Sequence, residues 1–388
     1  MSFEFATAAR IIFGEGTMRQ VAPAAAQWGK RVLLVTGRAA QRGDRLRADL
    51  EAAGAQSVAF AVASEPSVDL ITQGLEVARQ AQCDVVVAVG GGSVIDTGKA
   101  IAGLLTNSGD ITDYLEVVGK GKPLQHPAVP FIAVPTTAGT GAEVTRNAVL
   151  GVRSGTKEVK VSLRSPFLLP SLAVVDPQLT LGLPQAVTAR TGLDALTQLI
   201  EAYVSIRANP VTDGCCVQGI ALAARSLRRV FHHGEESEPR RDMALAALFS
   251  GMALANAGLG VVHGFAAPVG GRFHAPHGAI CAAILPYGME MNLRALRGRD
   301  PRSIALRRYE EVARMLTGRP GATAEDGISW ARDICREFAI PPLGVYGVGE
   351  QDVPGLVEES AKTSSMKGNP LVLTGDELGE VLRRAIGG

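Results

Sequence analysis

The chain has 388 residues, 46% of them hydrophobic and 20% charged, which is enough apolar material for a buried interior and more length than one typical core needs. Lys and Arg (39) balance Asp and Glu (38) for a formal charge of +1. That excludes the sustained positive field that nucleic acids or anionic membranes require, and no run approaches the about 18 apolar residues of a membrane-crossing helix.

The N-terminal apolar stretch contains Glu4 and Arg10 and does not read as a signal peptide. The five cysteines are an odd number with no CxxC pair, and they read as small buried hydrophobes in a reducing cytoplasm. Ala22–Ala26 reads as helix. Arg31–Thr36 is a strand, Arg45–Ala53 a helix, Ser57–Val62 a strand and Leu70–Gln80 a helix. Asp84–Val89 is a third strand that runs into Gly90-Gly91-Gly92-Ser93 and a helix to about Leu105, and Phe131–Val134 is a fourth. Strands of continuous Val, Ile and Leu alternating with helices predict a parallel sheet covered on both faces. Beyond Val174-Val175-Asp176-Pro177 the pattern turns helical, over Arg190–Val204, Thr212–Val230, Arg240–Ala257, Arg302–Leu316 and Ala324–Phe338. The expected organisation is an α/β domain over residues 1–183 and an all-helical domain over 184–388.

Two loops in the first half carry chemistry. Gly91, Gly92 and Ser93 follow a strand and open a helix, so backbone amides and the positive helix end can face a pyrophosphate. Ser93 is expected as N-cap, with Asp96 completing a capping box. The third glycine of GxGxxG is replaced by Ile95, and an ordinary tight turn is the bland alternative. The second loop, Pro135–Glu143, offers the hydroxyls of Thr136, Thr137 and Thr140 to phosphate, ribose or carboxamide, unless it is a polar surface turn. Two such loops at strand ends of one sheet favour a nucleotide site. Gly37-Arg38 follows the first predicted strand, where an acid would accept from the ribose 2′-OH of NAD. Its absence favours NADP, with Arg38 either pairing with the 2′-phosphate or remaining a solvated surface residue.

Three of the six histidines, His263, His274 and His277, fall in one window broken by Pro268, Gly270-Gly271 and Pro276. That places His263 near one helix end and His277 at the next start, a pattern that suits a metal site. Asp194 and Gln198, four apart, share a helix face.

Together these segments resemble the iron-containing (group III) alcohol dehydrogenase family. The matching motifs are Ile12-Phe13-Gly14, Gly90–Lys99, Pro135–Glu143, Val175-Asp176-Pro177, Thr191–Glu201, Gly251–Gly278 with Leu285-Pro286, and Asn369-Pro370. The resemblance implies an NAD(P)-binding N-terminal domain, a helical metal domain on the dehydroquinate synthase-like two-domain plan, and a catalytic cleft between them. Carried over by position, Gly91, Gly92, Ser93, Thr136, Thr137 and Lys160 match cofactor-contacting places. Asp194, Gln198, His263 and His277 match the four metal-ligand places. Two departures stand out: Gln198 where the family has histidine, and Ala267 where it has a second histidine often invoked near substrate.

The expected activity is hydride transfer between NADP or NAD and a small alcohol, aldehyde or ketone, assisted by Fe or Zn, in a cytoplasmic homo-oligomer, a dimer, with no nucleic-acid or membrane partner. His263 and His277 serve catalysis, and His274 is a candidate proton relay or a surface imidazole. The rivals are a metal-free reductase of the same fold, as in maleylacetate reductases, a dehydroquinate synthase-like lyase whose Lys/Arg clamp is not evident here, and a non-catalytic assembly protein.

Overall fold

The computed structural model describes residues 2–37, 40–116, 118–154 and 157–388. Their strands are β1 (Ile11–Phe13), β2 (Arg31–Thr36), β3 (Gln56–Ala61), β4 (Val85–Gly90), β5 (Phe131–Pro135), β6 (Asn147–Ser154), β7 (Lys157–Arg164) and β8 (Leu172–Val175). Between them lie α1 (Val21–Trp28), α2 (Ala40–Ala52), α3 (Val68–Gln80) and α4 (Gly92–Leu105). The remaining helices are α5 (Gln185–Val204), α6 (Pro210–His232), α7 (Ser237–Ala257), α8 (Val261–Phe273), α9 (His277–Arg299), α10 (Ile304–Thr317), α11 (Ala324–Glu337), α12 (Val353–Ala361) and α13 (Gly375–Gly387).

One compact unit comprises Thr7–Thr137 and Gly141–Leu181, and the other holds Gly182–Gly388 with Ala138–Thr140 and the first residues of the chain. The first unit is built on a sheet ordered β1-β8-β5-β4-β2-β3, all neighbours parallel. Successive side chains leave a strand on opposite faces. Accordingly Val32, Leu34, Val85, Val87 and Ile132 pack with Val21, Ala25, Leu46 and Leu50 on one side. Leu33, Val35, Val86, Ala88 and Phe131 pack with Ile71, Ala78, Ile95 and Ile101 on the other. Burial on both faces is why these strands read as unbroken apolar runs. The expected α/β fold followed by a helical region is what forms.

The predicted strands do not include β1, β6, β7 or β8, and β8 sits inside the main sheet between β1 and β5. β1 is a three-residue edge strand, and β6 and β7 form an antiparallel hairpin apart from the main sheet. The helix α8 continues through Pro268, so that proline does not break the segment as expected. Its ring forfeits one ladder bond without ending the helix.

The capping box also fails. The N-cap of α4 is Gly91, so Ser93 lies inside the first turn, where its carbonyl accepts from the Thr97 hydroxyl at 2.8 Å. The Asp96 carboxylate instead accepts from the Val149 N–H at 3.1 Å and stands 3.7 Å from Lys99 Nζ. Lys99 is wholly buried and donates to Ala142 O (2.8 Å), Thr145 Oγ1 (3.0 Å) and Asn147 O (2.8 Å), tying α4 to the segment that follows β5.

Burial pushes the nearby Glu143 carboxyl up from 4.5 to about 7, with its own backbone N–H and Lys99 opposing. A raised carboxyl favours folding below its unfolded value and withdraws that contribution as pH climbs through about 7. The urea midpoint of the full chain is therefore expected to fall between pH 5 and pH 8. Glu143→Gln should flatten that slope in part, since burial raises Asp96 too and with the same sign. An unchanged slope in Glu143→Gln would refute this account.

Candidate functional site

In the α/β unit, three loops leave the carboxyl edge of the sheet side by side. Thr36 pairs in register with Val89, and Gly90 with Pro135, so Gly37, Gly91-Gly92-Ser93 and Thr136-Thr137 are neighbours. Thr136 N–H donates to Gly90 O at 2.9 Å and locks two of them together. The adjacent glycines Gly90 and Gly91 have different causes. A Cβ at Gly90 would lie 2.5 Å from the Val94 side chain, so the close approach of α4 demands glycine there. A Cβ at Gly91 would meet only the Thr137 side chain, at an ordinary 3.5 Å, and its φ of −77° suits any residue. Internal packing does not require glycine at 91, whereas a phosphate resting on the N-terminus of α4 would.

Lys160 stands on β7, mostly buried, 3.4 Å from Glu65 Oε2 in the loop after β3. Pairing of Gly151 with Ser67 holds the hairpin beside that loop. Arg38 lies outside the described residues. Thr140 belongs to the helical unit, unlike Thr136 and Thr137.

In the helical unit, Asp194, Gln198 and Glu201 occupy one face of α5. His263 sits in the first turn of α8, and His277 opens α9. A Cβ at Gly278 would lie 2.3 Å from Arg190 O, so glycine lets the start of α9 press against the α5 backbone. His263 Nε2 is 3.3 Å and His277 Nε2 3.5 Å from Asp194 Oδ1. Cys281, one turn after His277, brings Sγ to 3.5 Å from His263 Nε2 and 3.7 Å from His277 Nε2. Ligand atoms of Asp194, His263, His277 and Cys281 all lie within 4.8 Å of one another.

Glu201 supports the group from behind. Its Oε1 accepts from Val262 N–H (2.7 Å), and Oε2 lies 2.6 Å from His263 Nδ1, which leaves Nε2 facing the cluster. Asn369 Oδ1 accepts from Val261 N–H at 3.0 Å and completes the cap of α8, a task for the Asn369-Pro370 motif. Such partners behind a ligand histidine fix its tautomer and ring plane.

Residues 8–177 match the family described as iron-containing alcohol dehydrogenase, and 188–386 match the Fe-containing alcohol dehydrogenase family, C-terminal. Alcohol dehydrogenase 4 of Schizosaccharomyces pombe is 37% identical over 384 residues, 97% of this chain and 87% of that protein. The 1,3-propanediol dehydrogenase of Citrobacter freundii is 38% identical over 370 residues, 92% of each. The crystal structure of a 1,3-propanediol oxidoreductase superposes with a TM-score of 0.91 at 35% identity, covering 99% of this chain and 100% of that one. The chain belongs to the iron-containing alcohol dehydrogenase family.

As a member of that family it is an oxidoreductase that interconverts alcohols with aldehydes or ketones by nicotinamide-dependent hydride transfer. The electrostatics of the cluster suit the metal such dehydrogenases use. Burial alone would raise Asp194, yet the His277 and His263 imidazoles hold its carboxyl below the usual range. Burial alone would lower His263, yet Cys281, Asp194 and Glu201 outweigh it and raise that imidazole well above its ordinary value. Positive charge is favoured at this point, and a divalent cation meets the same demand. The buried O, N and S donors therefore fit a metal ion.

Two of the expected site residues have other surroundings. Gln198 donates its amide N–H to Asp194 Oδ2 at 3.2 Å, while its carbonyl oxygen accepts from the Ser250 hydroxyl at 3.0 Å. That oxygen is engaged away from the cluster. His274 is exposed, at φ 50° on the C-cap of α8, and is not part of the four-residue group. Its left-handed conformation closes one helix before the next begins. Composition marks Cys281 only as a small hydrophobe; its spacing of four from His277 is the signal that puts it beside the cluster. Among the described residues no single helix is long and apolar enough to cross a membrane.

Proposed function

We propose that this chain is a metal-assisted alcohol dehydrogenase or aldehyde reductase that accepts NADPH at least as readily as NADH. In this reading residues 1–183 hold the cofactor and 184–388 hold the metal and a small alcohol or aldehyde. The convergence of Asp194, His263 and His277, with Glu201 fixing the His263 tautomer, is the observation that carries it. A divalent ion, Fe or Zn, held by these side chains supplies Lewis acidity toward the substrate oxygen. The protein's own part is to keep Asp194 anionic, to present Nε2 of both imidazoles, and to exclude water around Asp194, His263 and Glu201, whose side chains are nearly inaccessible. His277 is 37% exposed and forms the open side of the group. A bound nicotinamide would supply the hydride, and the loops at Gly37, Gly91–Ser93 and Thr136-Thr137, with Lys160, are the residues that would hold it. A cytoplasmic homodimer completes the reading, and none of the five cysteines is in a disulfide.

Elemental analysis of protein purified without added metal, followed by chelation and readdition during turnover of short aldehydes, tests the central point. The metal-free reductase reading wins if activity survives exhaustive chelation.

Two substitutions test the cofactor loops. Gly91→Val is expected to leave the fold intact, because only the Thr137 side chain is near, and to weaken cofactor binding by roughly a hundredfold through steric exclusion of the phosphates. Normal affinity measured by fluorescence titration would rule out this phosphate site. Gly37→Asp also has room, since its Cβ would sit 3.6 Å from Val94 Cγ2. It should move the NADPH-to-NADH ratio of kcat/KM toward NADH by about tenfold, as a carboxylate repels a 2′-phosphate and accepts from a 2′-OH. A strong NADH preference in the unmodified protein would defeat that reading.

A further inference from the structure

We propose that the fourth ligand of the metal site is the Cys281 thiolate, not Gln198, and that the site is built for zinc rather than iron. This rests on the reading that the cluster holds a divalent ion, and it adds which atoms hold it and which ion they choose.

The geometry is the first argument. Zinc bonds of about 2.0–2.3 Å in a tetrahedron place ligand atoms about 3.3–3.8 Å apart. The separations of His263 Nε2 and His277 Nε2 from Asp194 Oδ1 are 3.3 and 3.5 Å, and their separations from Cys281 Sγ are 3.5 and 3.7 Å. Cys281 is wholly inaccessible to solvent, and α9 carries it on the same face as His277. Three helices, α5, α8 and α9, thus bring one oxygen, two nitrogens and one sulfur within 4.8 Å of one another, and a substrate oxygen would have to join as a fifth ligand, from the side where His277 is exposed.

Gln198 is the second argument. To bind a metal it must offer its oxygen, and that oxygen is turned to within 3.0 Å of the Ser250 hydroxyl while the amide N–H faces Asp194. An amide N–H directed at a carboxylate orients that carboxylate. Gln198 is therefore a positioning residue for Asp194, and the imidazole missing from position 198 is made up by sulfur from position 281.

The third argument is chemical. Among divalent ions, a soft thiolate beside two imidazoles favours zinc over iron, which gains more from harder donors. On binding, the thiol releases its proton to solvent and sulfur donates an electron pair to the ion, with no change in oxidation state.

Cobalt substitution tests this without relying on turnover. With one Co²⁺ per chain, the unmodified protein should show an intense near-ultraviolet thiolate-to-cobalt charge-transfer band. Cys281→Ser should lose the band while retaining weaker cobalt binding, with zinc affinity reduced at least tenfold. Gln198→Ala should keep the band. Stoichiometric cobalt without the band in the unmodified protein would overturn Cys281 as ligand and leave the metal reading standing. Binding of neither cobalt nor zinc would overturn both. If Cys281→Ser fails to fold, Cys281→Ala serves as the second variant. A band that persists in a folded Cys281 variant, or disappears in Gln198→Ala, would equally reject the assignment.

Discussion

Asp194→Asn is expected to weaken divalent-metal binding at least a hundredfold and to lower kcat/KM roughly a thousandfold, a loss of about 4 kcal/mol of transition-state stabilisation. Asp194 Oδ1 is the shared neighbour of both imidazoles, at 3.3 and 3.5 Å, and its carboxylate is kept ionised by them against its burial. Asparagine preserves the volume and removes the charge that offsets the ion, so the effect is chemical and not a cavity. Cofactor affinity should change little, because Gly91–Ser93 and Thr136-Thr137 belong to the other unit. Metal content by elemental analysis, steady-state kinetics and a cofactor titration on one preparation separate these effects. A variant that retains both its metal and its rate would show that the cluster is not the catalytic centre.

Lys99→Met is expected to cost the α/β unit about 3–5 kcal/mol, the range for removing one partner of a buried charge pair. Three hydrogen bonds of 2.8–3.0 Å disappear together, and Asp96, 3.7 Å away, loses the ammonium that opposes the effect of its burial. Methionine fills most of the space but supplies no donor. Because Lys99 anchors α4, whose first turn carries Gly92 and Ser93, cofactor affinity should fall as well. Adding Glu143→Gln to Lys99→Met should recover part of the stability at pH 8 and little at pH 5, since the Glu143 carboxyl, raised to about 7, carries its charge only at the higher pH. Urea unfolding of both variants measures this. A loss below about 1 kcal/mol would mean that water replaces the ammonium at no great cost.

Much of the fold follows from local pattern. The strands β2, β4 and β5 announce themselves because a parallel sheet covered on both faces leaves no polar position to interrupt Val, Ile and Leu. Gly91–Ser93 was legible as a strand-to-helix glycine loop, and Asp194 with Gln198 as a shared helix face. The hairpin β6–β7 was not, because its Lys, Glu, Ser and Arg dilute the apolar signal on a two-stranded surface. Ser93 and Asp96 have the spacing of a capping box, yet the helix begins at Gly92 and Lys99 and Val149 claim the carboxylate. Spacing placed Cys281 one turn from His277, but a turn apart means only a shared face; whether that face meets α5 and α8 depends on how three helices pack. The direction of the Gln198 amide likewise depends on the tertiary structure, which sets its N–H on Asp194 and its oxygen 3.0 Å from Ser250, 52 residues away. Periodicity and capping act over a few residues, while a donor set is defined by which faces of distant helices converge, and that convergence exists only once the core has closed.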